Sequence, residues 1–146
     1  MDQFEQVEIL LAEDNPADAE LALRALRNGK LANSVVWVKD GSEALDFVLC
    51  QGAYAARPQR NPRLIVLDLK MPKVDGLEVL AKLKSEDHTK CIPVVIMTSS
   101  NHERDLVESY RLGVNSYIVK PVDFTQVVDV VGKAGFYWVA VNKVPE

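Results

Sequence analysis

Five short, almost uninterrupted apolar runs limit how this chain can fold more than anything else in it. They are VEILLA (7–12), SVVWVK (34–39), LIVLD (64–68), IPVVIMT (92–98) and SYIVK (116–120). A strand with one face in water alternates apolar and polar residues. A run without alternation needs cover on both faces, as in a parallel sheet. The segments between the runs carry apolar residues at i, i+3 and i+4, the spacing of amphipathic helices. They cover residues 16–28, 41–50, 76–84 and 102–112, with a longer stretch at 123–141. Asn15 is placed to cap the first, Pro16 to open it and Gly29 to stop it, and Gly113 closes the fourth. The apolar face reads as Leu45, Val48 and Leu49 in the second helix, and as Leu77, Leu80 and Leu83 beside Lys84 in the third. Five βα units predict an open α/β sheet with strand order 2-1-3-4-5.

A chain of 146 residues, 48% hydrophobic and 26% charged, fits one domain with a real core. With 17 basic against 21 acidic residues the net charge is -4, so a basic footprint for nucleic acid is absent. Cys50 and Cys91 lie far apart without CxxC spacing and read as small buried hydrophobes rather than a disulfide or a zinc site. The acidic start MDQFEQVE has no signal pattern, and no apolar run reaches the ~20 residues of a membrane span. The expectation is a soluble, cytoplasmic protein. Residues 51–63, QGAYAARPQRNPR, read as a solvated connection, with a partner-binding loop as the alternative.

In open parallel sheets, sites gather outside the carboxyl ends of the strands. Glu13 and Asp14 follow the first run, Asp68 ends the third, Thr98 the fourth and Lys120 the fifth. With strands one and three adjacent, the three carboxylates converge and repel, so the site needs a cation. Oxygen-only donors with room for water suit Mg²⁺ better than a full Ca²⁺ cage, and the lack of His or Cys disfavours zinc. A carboxylate beside Mg²⁺, a lysine and a hydroxyl can act as nucleophile toward phosphorus. Lys120 would offset charge on the phosphoryl oxygens and Thr98 would offer a hydrogen bond. Each feature alone has an ordinary explanation: turn and cap chemistry at 13–16, a strand-end turn at Asp68, loop hydroxyls at 98–100, a lysine before proline at 120. Their conjunction on successive strand ends carries the reading.

These same residues resemble the receiver domain of two-component response regulators, through LLAEDNP (10–16), LIVLDLKMPKVDG (64–76), VVIMTSS (94–100) and GVNSYIVKPVDF (113–124). The likeness covers roughly residues 7–131, so the chain reads as a single receiver domain over 1–146 with a C-terminal helix and tail at 123–146. It implies a flavodoxin-like (βα)5 fold, with Asp68 as phosphoacceptor for a phosphohistidine on a sensor histidine kinase. Asp14, Asp68 and the backbone carbonyl of Lys70 would hold Mg²⁺, and Glu13 would act through water. Lys120 would contact the phosphoryl group, Thr98 would follow it inward, and Tyr117 would be the aromatic switch. Glu13 departs from the pattern, standing where many receivers have Asp. The Asn15-Pro16-Ala17-Asp18 start, the loop with Tyr54 and the Phe136-Tyr137-Trp138 segment resemble the small response regulators that partner bacterial phytochromes, a mostly cyanobacterial group.

The loop after Asp68 asks for a residue tolerant of positive φ, which Gly76 would supply, while Asp75 caps the next helix. Phosphatases that use an aspartyl phosphate carry a second Asp two residues on. Lys70 stands there, which disfavours that enzyme class; its side chain is expected at the pocket mouth, tuning phosphoryl lifetime. The acidic first βα turn argues against flavin. A receiver-like scaffold that is never phosphorylated stays open. Within 123–141, Phe124, Val127, Val128, Val131 and Trp138 make one apolar stripe, and Val130, Tyr137 and Val141 make a second. The second stripe suggests a homodimer or partner face shared with the fourth helix and fifth strand, with local packing by residues 142–146 as the alternative.

Overall fold

The structure, a computed structural model, describes residues 9–28, 34–58, 60–99, 103–120 and 129. Five parallel strands form one sheet in the order β2-β1-β3-β4-β5: β1 (Ile9–Ala12), β2 (Val35–Val38), β3 (Leu64–Leu67), β4 (Val94–Thr98) and β5 (Ser116–Val119). Helices α1 (Pro16–Asn28), α2 (Gly41–Leu49), α3 (Gly76–Ser85) and α4 (Glu103–Arg111) connect them. This is the flavodoxin-like order expected of the βα rhythm. Apart from residue 129, the stretch at 123–141, with both its stripes and therefore Val130, Tyr137 and Val141, lies outside the described residues, as does Gly29.

Neighbouring strand residues face opposite sides, so each run fills two cores. Leu10, Ala12, Ile65, Leu67, Val94 and Ile96 pack with α2 and α3. Ile9, Leu11, Leu64, Val66, Val95, Met97 and Ile118 face the other side, against Ala19, Ala22, Ala25 and Leu26 of α1. This double burial is why the runs lack alternation.

Local chemistry sets most boundaries. The Asp18 N–H donates to Asn15 Oδ1 at 3.0 Å, and the Glu78 N–H donates to Asp75 Oδ1 at 3.0 Å, so both expected caps are made. At the end of α4 the Gly113 N–H donates to Tyr110 O and the Val114 N–H to Ser109 O, with Gly113 at φ 95°. That is a Schellman closure. The same closure ends α2, where the left-handed residue is Cys50 at φ 55°.

The helix faces differ from expectation by a small rotation. In α2 the buried residues are Gly41, Ala44, Phe47 and Val48, with Leu45 and Leu49 half-buried, because an alanine and an aromatic make the contact. In α3 Val79 joins Leu80 and Leu83 inside, while Leu77 is half-buried. Lys84 runs its stem over the end of α3 and donates to the carbonyls of Lys90 (3.1 Å) and Ile92 (3.0 Å); burial lowers its pKa.

The 51–58 part of the insert is exposed at most positions, as a solvated connection would be, and is pinned at Tyr54 and Arg57. A 3-10 turn at Gly52–Tyr54 sets the Tyr54 ring edge-on to Phe47 at 5.1 Å, and its hydroxyl donates to Glu43 Oε2 at 2.8 Å. The Arg57 guanidinium lies over the Phe47 ring at 4.1 Å and its Nε donates to Phe47 O at 2.9 Å. The cysteines also depart from the buried expectation: both are free, Cys50 half-buried and Cys91 exposed.

Candidate functional site

The ladder delivers each polar residue to the same edge of the sheet. Ala12 pairs with Leu67, and the Asp68 N–H donates to Ala12 O at 3.0 Å, so Glu13 and Asp68 leave adjacent strands together. Thr98 pairs with Val119, and the Lys120 N–H donates to Thr98 O at 2.7 Å. Glu13, Asp68 and Thr98 are buried, while Asp14 is exposed at the rim.

Lys120 is the centre of charge. Its Nζ lies 2.9 Å from Asp18 Oδ2, 3.2 Å from Asp68 Oδ2 and 2.5 Å from Glu13 Oε1, the last an ion pair at an angle that makes no hydrogen bond. Burial alone would lower the lysine pKa, but its contacts with Glu13 and Asp18 and the charge of Asp68 hold it above its ordinary value. Asp18 belongs to the cluster and was not among the residues expected there. Its signal was in the spacing, because position 18 faces the strand ends from the first turn of α1.

Glu13 pays most for its place. Burial pushes its carboxyl up to about 7, against the opposing pull of the Lys120 contact. Its Oε2 accepts the Asn15 N–H at 3.1 Å. Carboxylate oxygens of Glu13, Asp14 and Asp68 all lie within 4.8 Å of one another. Such an all-oxygen set, in which one ammonium faces Glu13, Asp18 and Asp68 and Asp14 lies beside them, has the composition that holds a hard divalent cation. The residues present therefore fit Mg²⁺.

The loop after Asp68 is anchored from both sides. Leu69 and Met71 turn into the core, and the Lys70 N–H donates to Asp68 Oδ1 at 3.2 Å. A Cβ on Gly76 would stand 2.3 Å from Asp68 O, and one on Gly41 would stand 1.8 Å from Val74 O. Gly76 is thus demanded by close backbone approach, not by positive φ; the left-handed residue of this loop is Lys73, at φ 68°. The Lys70 side chain reaches α4, where its Nζ sits 3.6 Å from Asp105 Oδ2. Tyr117 is half-buried on β5 and packs against the core shared with α2 and α3.

A family model described as the response regulator receiver domain matches residues 9–132. The chain is 39% identical over 138 residues to the probable methanogenesis regulatory protein FilR2 of Methanothrix harundinacea, covering 94% of this chain and 86% of that protein. The crystal structure of the phosphorylated cyanobacterial phytochrome response regulator RcpA shares 40% identity at a TM-score of 0.79, over 97% of this chain and 100% of that one. The Mn(2+)-bound form of response regulator Rcp1, from Synechocystis, shares 37% identity at a TM-score of 0.79, with the same coverage of 97% and 100%.

Proposed function

The chain belongs to the response regulator receiver domain family, and from that premise we propose that it is a phosphorylation switch in which Asp68 accepts a phosphoryl group from a sensor histidine kinase. The observation that carries this reading is the place of Asp68: buried at a strand end, 3.2 Å from Lys120 and clustered with Glu13 and Asp14. An oxygen of Asp68 forms the new P–O bond as the P–N bond of the phosphohistidine breaks, and the imidazole leaves with the electron pair. Asp14, Asp68 and the Lys70 carbonyl would hold Mg²⁺, with Glu13 acting through water; the ion would supply positive charge at the phosphoryl oxygens. Lys120 supplies a second positive charge there, and the Asp68 side chain is held ready by the Lys70 N–H. Thr98, buried at the end of β4, would follow the modified carboxylate, and Tyr117 on β5 would respond to it. The only reaction catalysed would be the protein's own phosphorylation and its reversal.

A phytochrome-type kinase is the partner we favour, on the strength of the likeness to RcpA. The output would leave through α4 and β5, where Leu106, Val107, Tyr110 and Val119 are exposed, either to a second copy of the chain or to a target protein. A cytoplasmic location agrees with such a partner; among the described residues no helix is long and apolar enough to cross a membrane. The test is Asp68→Asn. Wild-type protein should take up an acid-labile label from acetyl phosphate in Mg²⁺, and the variant should not; labelling that persists in the variant refutes the assignment.

A further inference from the structure

Trp37 lies on the edge strand β2, where a tryptophan reads at first as one more apolar residue of the run. Its indole does something more specific. Nε1 donates to the main-chain oxygen of Glu13 at 2.7 Å, across 24 residues of sequence. The Glu13 N–H donates in turn to Val38 O at 3.0 Å, so both backbone polar groups of Glu13 are held from β2. The reason lies in how β2 ends. After Val38 the chain leaves the ladder and turns at Asp40, the cap of α2, while the Lys39 N–H goes to Glu43 Oε1 at 3.0 Å. No further rung follows for the Glu13 carbonyl, and the indole N–H takes that part. The Lys39 ammonium, 5.4 Å from the ring centroid, lies over the indole face.

We infer that Trp37 is a positioning residue of the acidic centre. The Glu13 carbonyl belongs to the peptide that joins Glu13 to Asp14, so its direction sets where both carboxylates point. Asp14 is exposed, and among the described residues no side-chain neighbour does this for it in the way that Lys120 does for Glu13 and Asp68. A hydrogen bond behind a ligand fixes ligand geometry, and losing one typically weakens metal affinity by about 10- to 100-fold. The inference rests on the proposed divalent-cation site.

The experiment uses the full chain and Mn²⁺ as probe, followed by calorimetry at fixed pH, with Asp68 labelling by acetyl phosphate as a second readout. Two variants remove the N–H. Trp37→Phe shortens the ring, and replacement of Trp37 by benzothienylalanine keeps its shape while exchanging N–H for sulfur. Both should bind Mn²⁺ about tenfold more weakly. Labelling should slow at low cation and return to within about twofold of wild type at saturation, a split that loss of fold would not give. The benzothienylalanine protein decides the matter if Trp37→Phe fails to fold. Wild-type affinity in that protein overturns the inference, whereas a wild-type chain that binds no Mn²⁺ overturns the proposed cation site itself.

Discussion

Glu13 is fully buried beside a lysine and another carboxylate, and its pKa of about 7 sets how the centre responds to pH. A carboxyl raised from 4.5 in the unfolded chain stabilises the fold while protonated, and that contribution is lost as pH rises through about 7. A cation favours the ionised form and must displace the proton. Mg²⁺ affinity should therefore climb as pH rises toward about 7, with proton release visible as a buffer-dependent heat in calorimetry. Glu13→Gln should abolish that buffer dependence. Lys70 offers a second prediction at this scale. Its N–H supports Asp68 while its ammonium pairs with Asp105. Lys70→Ala keeps the N–H and removes the ion pair, so the dephosphorylation rate of Asp68 should change about twofold or more, corresponding to ~0.5 kcal/mol in the barrier. An unchanged rate would leave the side chain without a part in phosphoryl lifetime.

Among the elements, the loop from Asp68 to Gly76 is closely confined by its own backbone. Gly76→Ala places a methyl 2.3 Å from Asp68 O and 2.6 Å from Leu69 Cα. It should cost at least ~2 kcal/mol in denaturant unfolding and impair labelling of Asp68. The end of α2 predicts the opposite sign. Cys50 holds a left-handed conformation at φ 55°, so Cys50→Gly should gain about 0.5–1 kcal/mol in stability, read as a higher unfolding midpoint. These two positions also show what the sequence could and could not convey. The five apolar runs and the Asn15 and Asp75 caps are local signals, and they led to the observed sheet and helices. The need for Gly76 comes from backbone eight residues upstream, and no local pattern separates close approach from positive φ. Tyr54 and Arg57 looked solvated for a similar reason: their partners Glu43 and Phe47 lie on a neighbouring helix. The site residues were legible because β-strand ends are fixed by topology. Asp18 carried only a spacing signal and Trp37 none, since their contacts with Lys120 and Glu13 exist only after the sheet has formed.

For the molecule as a whole, the Lys70–Asp105 bridge joins the loop of Asp68 to α4, the element proposed to carry the output. With the Lys70 ammonium exposed and the Asp105 side chain only 14% exposed, a pair at 3.6 Å is worth about 1 kcal/mol, so any message it carries is on the order of fivefold. Coupling free energy runs equally in both directions. A protein seated on Leu106, Val107 and Tyr110 that draws Asp105 off Lys70 would alter phosphoryl occupancy at Asp68 by the same small factor that phosphorylation alters its binding. Measuring the affinity of such a partner for the phosphorylated and the unphosphorylated chain, in wild type and in Asp105→Asn, should show the difference shrink in the variant. On the proposed output face, a bound protein and the phosphoryl group would each bias the other, with a gain low enough to adjust the switch and too low to throw it.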